Sequence, residues 1–591
     1  MPPPGVCMSI MQARDKNDGI GTLANPEKFN NQDFQQLKQF CLSNGYKYID
    51  DRFPPDNSSI GEELLSPKDM CRVKWLRPAE IAKRPCFTVD GISRFDYGQG
   101  LAGNCWFLAS IGALTFQTCI MEQVLHGQQS FEHDYCGIFH FKFWRFGRWV
   151  DVVIDDKLPT IDGQLIFVHS KTPNEFWPAL MEKAYAKVCG SYADMNLGNP
   201  SEAMMDFTGG VYITFKLADA PPNLWNLLFR AAKCNSLMGC ETPPGVSRNT
   251  VAPNGLVRGH AYTLTGIIQL MSKGRPVNLI RVYNPWGRVE WTGDWSDNSS
   301  LWQTVSPGDR KTCLSVVEDG EFWITVEDFC KHFRSVDICC LCPDFLDKNP
   351  ACHWTATVHE GRWVTGTTAG GCLNFPDTFW INPQYQVKIE GLKKVCSETQ
   401  GDYNILVTLM QKPDKRNRRL AKTLHIGFYI FGVSMKGHRG KFPKTFFKTN
   451  VPVAKTEKYI DSRTVMGLFW LNPGEYLIVP TSFNPDETAS FILSIFSKTS
   501  VTGRLNSVEF LRLWSKATTY KDIFLHSDVD RSGYLSVSQL RNAIMSSGIR
   551  LTDNLLNLIA LRYGGTSGIV SLGSFISLVL RMDRMASRFT M

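Results

Sequence analysis

The segment 103–107 contains a cysteine, Cys105, whose neighbours are typical of a catalytic thiol at the start of a helix. Cys105 follows a glycine and Asn104, and it precedes an apolar run with helical spacing. Asn104 is a residue type that caps helices, and the free N–H groups and dipole of a helix N-terminus favour a thiolate over a thiol. Gln99 lies six positions before Cys105 in a glycine-containing loop. Its side-chain amide and the Cys105 N–H could form an oxyanion hole.

A histidine far downstream could serve this cysteine as a base. The stretches 259–266 and 277–283 are typical of strands, and turn-forming residues lie between them. An antiparallel hairpin centred near Ser272 would place His260 opposite Asn284. Directly opposed side chains on one face of such a hairpin lie about 5 Å apart. The spacing therefore predicts an imidazole beside an amide.

Together these residues predict a Cys-His-Asn triad. Cys105 would attack a carbonyl carbon, His260 would relay the proton, and Asn284 would fix the orientation of the imidazole. Trp286 follows in the sequence Asn-Pro-Trp-Gly and could shield the Asn–His hydrogen bond from water. This combination favours thiol-dependent acyl transfer.

Further motifs stand beside these, and the whole set comprises the segments 99–106, 182–187, 206–210, 259–262, 284–287, 319–323, 368–372 and 378–384. In this order they resemble the calpain family of calcium-dependent intracellular cysteine endopeptidases. The similarity extends from about Asp33 to the end of the chain, which resembles an internally shortened member with an incomplete penta-EF-hand domain. The family usually has Asp at the position of Asn104.

The resemblance implies a multidomain α+β fold. It comprises a two-lobed papain-like protease core, a C2-like β-sandwich and a truncated EF-hand helical domain, and the active site lies between the two lobes of the core. The N-terminal arm should contain a helix near Gln32 to Leu42. The expected boundaries are 1–45 for the arm, 46–345 for the core (helical lobe about 46–209, β-rich lobe about 210–345), 350–497 for the sandwich and 499–591 for the incomplete penta-EF-hand region.

The resemblance also implies calcium as a cofactor. Calcium takes six to eight oxygen ligands, which carboxylate-bearing loops can supply. One ion is expected in each lobe of the core. The implied ligands are Asp96, Glu175 and carbonyls near Val89 and Gly91 in the first lobe, and Glu290, Asp297, Asp319, Glu321 and a carbonyl near Val317 in the second.

One loop near the C-terminus begins like an EF-hand. Its candidate ligands are at alternate positions, and a glycine stands at the sixth position. The twelfth position is Gln539, which cannot give the bidentate carboxylate, so weak or absent calcium binding is expected. No small-subunit heterodimer is expected through this shortened region. The candidate ligands are Asp528, Asp530, Ser532 and Tyr534.

The composition agrees with an intracellular multidomain enzyme. Hydrophobic residues make up 43% and charged residues 20% of the 591 residues, and the 18 cysteines form no disulfide framework or zinc-like spacing. No apolar run is long enough to cross a bilayer, and no signal peptide is apparent. A cytoplasmic location with reversible membrane association is therefore expected. The sharpest basic run, 412–422, is either a solvated loop or a region attracted to anionic phospholipid.

The expected function is calcium-regulated, limited proteolysis of protein substrates at extended or interdomain segments. Nucleic acid is not an expected partner. One alternative is a catalytically weak or inactive isoform that acts as a calcium- or membrane-associated adaptor. A transglutaminase also uses a Cys before Trp, but Asn284 followed by Pro285 and Trp286 argues against that class.

Overall fold

A computed structural model provides the fold. It describes residues 19–126, 129–245, 250–314, 318–347, 353–389, 403–415, 417–433, 440–498, 518–547, 556, 559, 569–576, 578–579 and 582. Two compact units occur, one formed by Met1–Trp354 with Val358–Val501 and the other by Thr355–Thr357 with Thr502–Met591. No helix in these described ranges is long and apolar enough to span a membrane.

The N-terminal half of the first unit combines helices with small sheets around a large apolar core. The arm helix Phe34–Asn44 agrees with the predicted position, and Asp33 caps it through the Gln36 N–H. The long helices are Phe34–Asn44, Cys105–Leu114, Thr118–Leu125, Trp177–Cys189, Pro200–Thr208 and Leu224–Lys233, and short helices are Asn57–Ile60, Pro67–Met70 and Pro78–Ile81. The small sheets pair Glu27–Lys28, Arg148–Asp155 and Ile138–Arg145; Lys74–Leu76, Leu158–Ile161 and Gln164–Leu165; and Tyr97–Gly98 and His169–Ser170.

A six-stranded antiparallel sheet follows. Its strand order is Glu321–Thr325, Arg275–Tyr283, Ala261–Ser272, Leu237–Glu241, Ser335–Cys340 and Val211–Lys216. The short helices Pro307–Cys313 and Val326–His332 lie between its last strands in the sequence. Helices and antiparallel sheets together agree with the predicted α+β class.

The predicted hairpin exists, but its predicted centre is wrong. Ser272 pairs with Arg275, so the turn consists of Lys273 and Gly274 rather than being centred on Ser272. Lys273 and Gly274 both have positive φ, as a tight two-residue hairpin turn requires. A register shift between Leu264 and Gly266 then moves the pairing by one position. Alternation of residues fixes strands well, whereas a bulge that shifts their register leaves no comparable signal.

Two four-stranded antiparallel sheets form a β-sandwich. Alternate residues such as Val407, Phe428 and Leu493 from both sheets share one buried cluster, as the period of two in a strand dictates. The short helix Lys444–Thr449 lies between strands in the sequence. The strands are Thr355–Trp363, Ala489–Ser497, Ile405–Lys412 and Thr464–Phe469 in one sheet, and Tyr385–Ile389, Gly474–Ser482, Ile426–Val433 and Ala454–Lys455 in the other.

The second unit has an apolar core of its own. Helix Val537–Ser546 begins with a capping box between Ser536 and Gln539. The strand Tyr534–Leu535 pairs with Val570–Ser571. Phe524, Leu540 and Phe575 lie in one buried cluster. In the sequence, 563–568 stands at the position of a second EF-like loop and Gly503 and Glu509 at positions six and twelve of a further one; both stretches, and residues 588–591, lie outside the described residues.

Candidate active site

Cys105 is the first residue of the helix Cys105–Leu114, as predicted. Every residue from Trp106 to Leu114 is buried, so the helix is held on all sides and its N-terminus has a fixed position. The Asn104 side chain does not cap the helix, so that prediction is wrong. Its Nδ2 instead donates to Glu182 Oε1 at 2.6 Å. Asn104 is fully buried, and its amide is paired with the buried carboxyl group of Glu182.

The Cys105 thiol has a pKa above its ordinary value, contrary to the expected thiolate. Burial raises it, and this effect outweighs the lowering by backbone N–H groups, of which that of Ala261 is the strongest. Ala261 directly follows His260, so the strand that carries the histidine reaches the cysteine. Thr263 on the same strand donates to Ala109 O of the helix that begins at Cys105, at 2.7 Å.

His260 and Asn284 form a buried hydrogen-bonded pair. Nε2 of His260 lies 2.8 Å from Asn284 Oδ1. The Asn284 Nδ2 donates to the carbonyls of Arg288 and Val289 at 2.8 and 3.0 Å, which fixes Oδ1 as the atom that faces the ring. Because Oδ1 only accepts, Nε2 carries the proton and Nδ1 is free to take one. Burial lowers the pKa of His260 to about 4, although the Asn284 hydrogen bond opposes this shift.

Trp286 covers this pair and also connects the sheet to the Gln99 loop. Its ring centroid lies 4.8 Å from that of His260, and its backbone N–H donates to Asn284 Oδ1 at 3.1 Å. Its indole Nε1 donates to Gln99 Oε1 at 2.7 Å, while Gln99 Nε2 donates to Ala102 O at 2.8 Å. The Gln99 amide is thus anchored at both ends, close to the start of the Cys105 helix.

The predicted first-lobe calcium ligands Asp96 and Glu175 are gathered in one place. Ser170 Oγ lies within hydrogen-bond distance of both residues, 2.7 Å from Glu175 Oε2 and 2.9 Å from the backbone carbonyl oxygen of Asp96. The Val89 N–H donates to Glu175 Oε1 at 2.7 Å, and Gly91 has φ +98° in the same loop. Burial raises the pKa of Glu175, and the neighbouring carboxylate of Asp96 raises it further. Carboxylates that repel each other in a half-buried loop fit a cation of high charge.

The second predicted set is only partly brought together. Burial raises the pKa of Glu290, and the charge of Asp319 adds to the rise. Glu290 Oε1 accepts from Gly320 N at 2.8 Å, beside Asp319. Glu321 differs, since its two oxygens accept from Arg94 Nε and Nη2 at 2.8 and 2.9 Å. Asp297 lies among the described residues, but Val317 lies outside them.

No group of three or more His, Cys, Asp or Glu side chains stands in metal-binding geometry in the described ranges.

In the EF-like loop, Asp528 accepts from the backbone N–H groups of Ser532 and Gly533 at 3.0 and 2.8 Å. Asp530 accepts from Gln539 Nε2 at 3.2 Å. Tyr534, the remaining candidate, contributes its carbonyl to Ser532 Oγ at 3.0 Å. The loop carboxylates therefore bind the loop itself.

Two arginines of the basic run 412–422 form ion pairs with acids of the N-terminal half of the chain. Arg418 binds Glu202 through Nη2 at 3.1 Å, and Arg419 binds Glu63 at 3.0 Å. Both partners belong to the N-terminal half of the chain. A run of basic residues gives no signal that its partners are acids more than 200 residues away.

Sequence reasoning missed three further contacts around the site. They are the Asn104–Glu182 hydrogen bond, the Arg94–Glu321 ion pair and a buried ion pair in which Arg463 Nη2 lies 2.6 Å from Asp206 Oδ1. Glu182 and Asp206 both lie in segments that matched the family. Membership of those segments was the only available signal for either residue, because each partner is distant in sequence.

Comparison with known protein families identifies three matching regions. Residues 48–340 match the model for the calpain family cysteine protease, 359–496 that for calpain large subunit domain III, and 522–589 that for a calpain-13-like C-terminal EF-hand.

Relatives match over nearly the whole chain. Calpain-1 catalytic subunit from Sus scrofa is 36% identical over 677 aligned residues, which cover 98% of this chain and 94% of that protein. Human calpain-9 is 37% identical, covering 94% of this chain and 93% of that protein. The alignment with calpain-1 is longer than the chain itself, which agrees with an internally shortened sequence.

Proposed function

The chain belongs to the calpain family, whose members are calcium-dependent cysteine proteases, and we propose that Cys105, His260 and Asn284 form its catalytic triad. The observation that carries this proposal is the buried 2.8 Å contact between His260 Nε2 and Asn284 Oδ1. This contact leaves Nδ1 of His260 as the base. The next residue, Ala261, has its backbone N–H close enough to the Cys105 thiol to lower its pKa. Protein substrates follow from the family.

The proposed reaction is acyl transfer through a thioester. His260 Nδ1 takes the Cys105 proton, and the sulfur attacks the carbonyl carbon of the scissile peptide bond. The Cys105 N–H and the second Nε2 hydrogen of Gln99 stabilise the oxyanion. The intermediate collapses, and the leaving amine takes the proton from His260. A water molecule then loses a proton to the same nitrogen and hydrolyses the thioester, which restores the thiol.

Inhibitor labelling tests the triad. A thiol-directed peptidyl epoxide in the presence of calcium should label Cys105, and Cys105→Ala should abolish both labelling and cleavage of casein. The exposed Cys119 provides a matched control, since Cys119→Ala should retain both. Labelling at another cysteine, or casein cleavage by Cys105→Ala, would contradict the proposal. Folded wild-type protein that neither reacts nor cleaves would favour the inactive-adaptor alternative.

We further propose that calcium acts by aligning the helical and β-rich lobes. Burial raises the pKa of the Cys105 thiol and lowers that of His260 to about 4, so both groups are shifted away from the values that proton transfer between them requires. Bound calcium would supply positive charge to the acidic loops around Glu175 and Glu290. The Trp286–Gln99 hydrogen bond at 2.7 Å and the bidentate Arg94–Glu321 pair connect the two lobes and would rearrange together.

Neutralising one acidic loop tests this role. Glu290→Gln combined with Asp319→Asn should raise the calcium concentration needed for half-maximal cleavage, because two oxygen ligands lose their charge. Maximal labelling of Cys105 should be retained. Glu327→Gln, on an exposed residue of the same region, should leave the requirement unchanged. An unchanged requirement in the double variant would contradict the assignment of these ligands.

Further features of the function remain proposals. We expect limited proteolysis at extended or interdomain segments, a cytoplasmic location, and no stable small-subunit heterodimer. Reversible binding to anionic phospholipid through the run 412–422 would compete with the ion pairs that Arg418 and Arg419 form. Sedimentation with a calpain small subunit and with phosphatidylserine vesicles tests these two partners.

A further inference from the structure

A loop of the β-sandwich lies against the segment that carries the nucleophile. The loop connects the strands Ile405–Lys412 and Ile426–Val433. Within it, the Arg418 N–H donates to Cys189 O at 2.8 Å, and Asn417 Nδ2 donates to Asp194 Oδ2 at 3.1 Å. The Arg419 N–H donates to the other oxygen of Asp194 at 3.0 Å. Three hydrogen bonds thus fix the turn before any guanidinium contact is considered.

The Arg418 guanidinium contacts the residue that follows the nucleophile. Its Cζ lies 5.0 Å from the ring of Trp106, at a distance that permits a cation–π interaction. Trp106 is buried, and its indole Nε1 donates to Met195 O at 2.9 Å. Gly198 lies on the ring so closely that a Cβ there would stand 2.5 Å from it. Trp106 is therefore held between the 195–198 loop, its own helix and Arg418.

The same guanidinium also reaches the other side of the nucleophile. Arg418 Nη1 donates to Leu197 O, and the Leu197 N–H donates to Gly103 O at 3.1 Å. Leu197 has φ +67°, a left-handed conformation that a leucine adopts only when surrounding contacts hold it. Gly103 and Trp106 flank Asn104 and Cys105, so Arg418 holds both ends of the four-residue segment that contains the thiol.

A third contact ties Arg418 to the helix behind the nucleophile. Its Nε and Nη2 donate to Glu202 Oε2 at 3.3 and 3.1 Å. Glu202 lies in the first turn of helix Pro200–Thr208, and Pro200 O accepts from Ser110 Oγ of the nucleophile helix at 2.9 Å. One side chain of the sandwich thus binds an aromatic face, a carbonyl and a carboxylate around one turn of helix.

We infer that Arg418 is a positioning residue for Cys105, through which the β-sandwich sets the placement of the nucleophile. This inference rests on the proposed triad. A planar guanidinium with several fixed donors can make these three contacts together, whereas an ammonium on a flexible stem cannot reproduce them all. Loss of the contacts should misplace the sulfur and the Cys105 N–H during acylation, and displacements of about 1 Å cost up to about a hundredfold in rate.

Neighbouring arginines on one turn allow a matched test. Arg419 binds the Glu62 carbonyl and the Glu63 carboxylate and has no contact with the 103–106 segment among its described interactions. In saturating calcium with a fluorogenic peptide, and with rates normalised to thiols labelled by the epoxide, Arg418→Ala should lower kcat by about tenfold or more, with little change in KM. Arg418→Lys should recover part of the loss, and Arg419→Ala should resemble wild type.

The outcomes separate this inference from the proposed function. Equal loss of kcat in Arg418→Ala and Arg419→Ala, or a kcat for Arg418→Ala equal to that of wild type, would overturn the positioning role while the triad stands. If Arg418→Ala does not fold, Arg418→Lys decides the question, since full activity of that variant would also overturn it. Wild-type protein that is not labelled at Cys105 would instead refute the triad.

Discussion

Replacement of Glu182 by Gln tests whether the residue beneath the nucleophile segment is ionised. Glu182 is fully buried in helix Trp177–Cys189 and accepts from Asn104 Nδ2 at 2.6 Å and from the Val168 N–H at 2.9 Å. Burial raises its pKa from 4.5 to about 8, although these two hydrogen bonds oppose the shift. Asn104 Oδ1 is buried and has no hydrogen-bond partner among the described residues. If the Asn104 amide flips, the amide nitrogen of a glutamine at position 182 could donate to this oxygen.

The raised pKa makes the stability of the wild type depend on pH. Between 4.5 and about 8 the folded state binds the Glu182 proton more tightly than the unfolded state does. Stability is therefore complete below the unfolded pKa and falls as pH rises through this window, by about 1.4 kcal/mol per pH unit. Between about pH 6 and pH 7.5 the loss amounts to about 2 kcal/mol. Glu182→Gln has no such proton and should lose none of this.

Urea unfolding at several pH values measures the difference. The free energy of unfolding of Glu182→Gln should exceed that of wild type by an amount that grows with pH through the window. The exposed Glu122 provides the matched control, and Glu122→Gln should follow the wild-type pH profile. Parallel profiles for wild type and Glu182→Gln would refute the reasoning, because they would mean that the buried carboxyl exchanges no proton on unfolding.

Three other changes have defined outcomes. Asn284→Ala should lower kcat about a hundredfold by releasing the imidazole, whereas Asn278→Ala on the same hairpin should not; equal rates in a peptidase assay would contradict this. Because burial lowers the pKa of His260 to about 4, wild-type stability should fall as pH drops from about 6.5 towards 4, by up to about 3 kcal/mol, and urea titrations of His260→Ala should lack this loss. Arg463→Met should cost about 3 kcal/mol by leaving a buried carboxylate with one partner fewer. Lys412→Met, at a more exposed pair, should cost under about 1 kcal/mol, and similar urea midpoints for both would refute the distinction.

Local patterns located the main parts of the site. The apolar run after Cys105 predicted a buried helix, and the helix begins at that residue. Alternating residues predicted the two strands of the hairpin, and their proximity brought His260 to Asn284 even though the predicted centre was wrong. The prediction survived the small register error because His260 and Asn284 both lie just beyond the last pair of residues in the hairpin, Thr263 and Tyr283.

Long-range partners were beyond the reach of such patterns. The motifs of the sequence identified the family, and the resemblance implied the mixed α and β architecture. Spacing along single elements predicted that Cys105 begins a helix and that His260 lies beside Asn284. Only the tertiary structure decided that Asn104 binds Glu182 instead of capping its helix, and that Arg418 binds around the nucleophile instead of facing solvent. The reason is physical: burial sets the cost of leaving a polar group unpaired. Which partner forms a hydrogen bond with a buried polar group depends on the packing of elements that are distant in sequence.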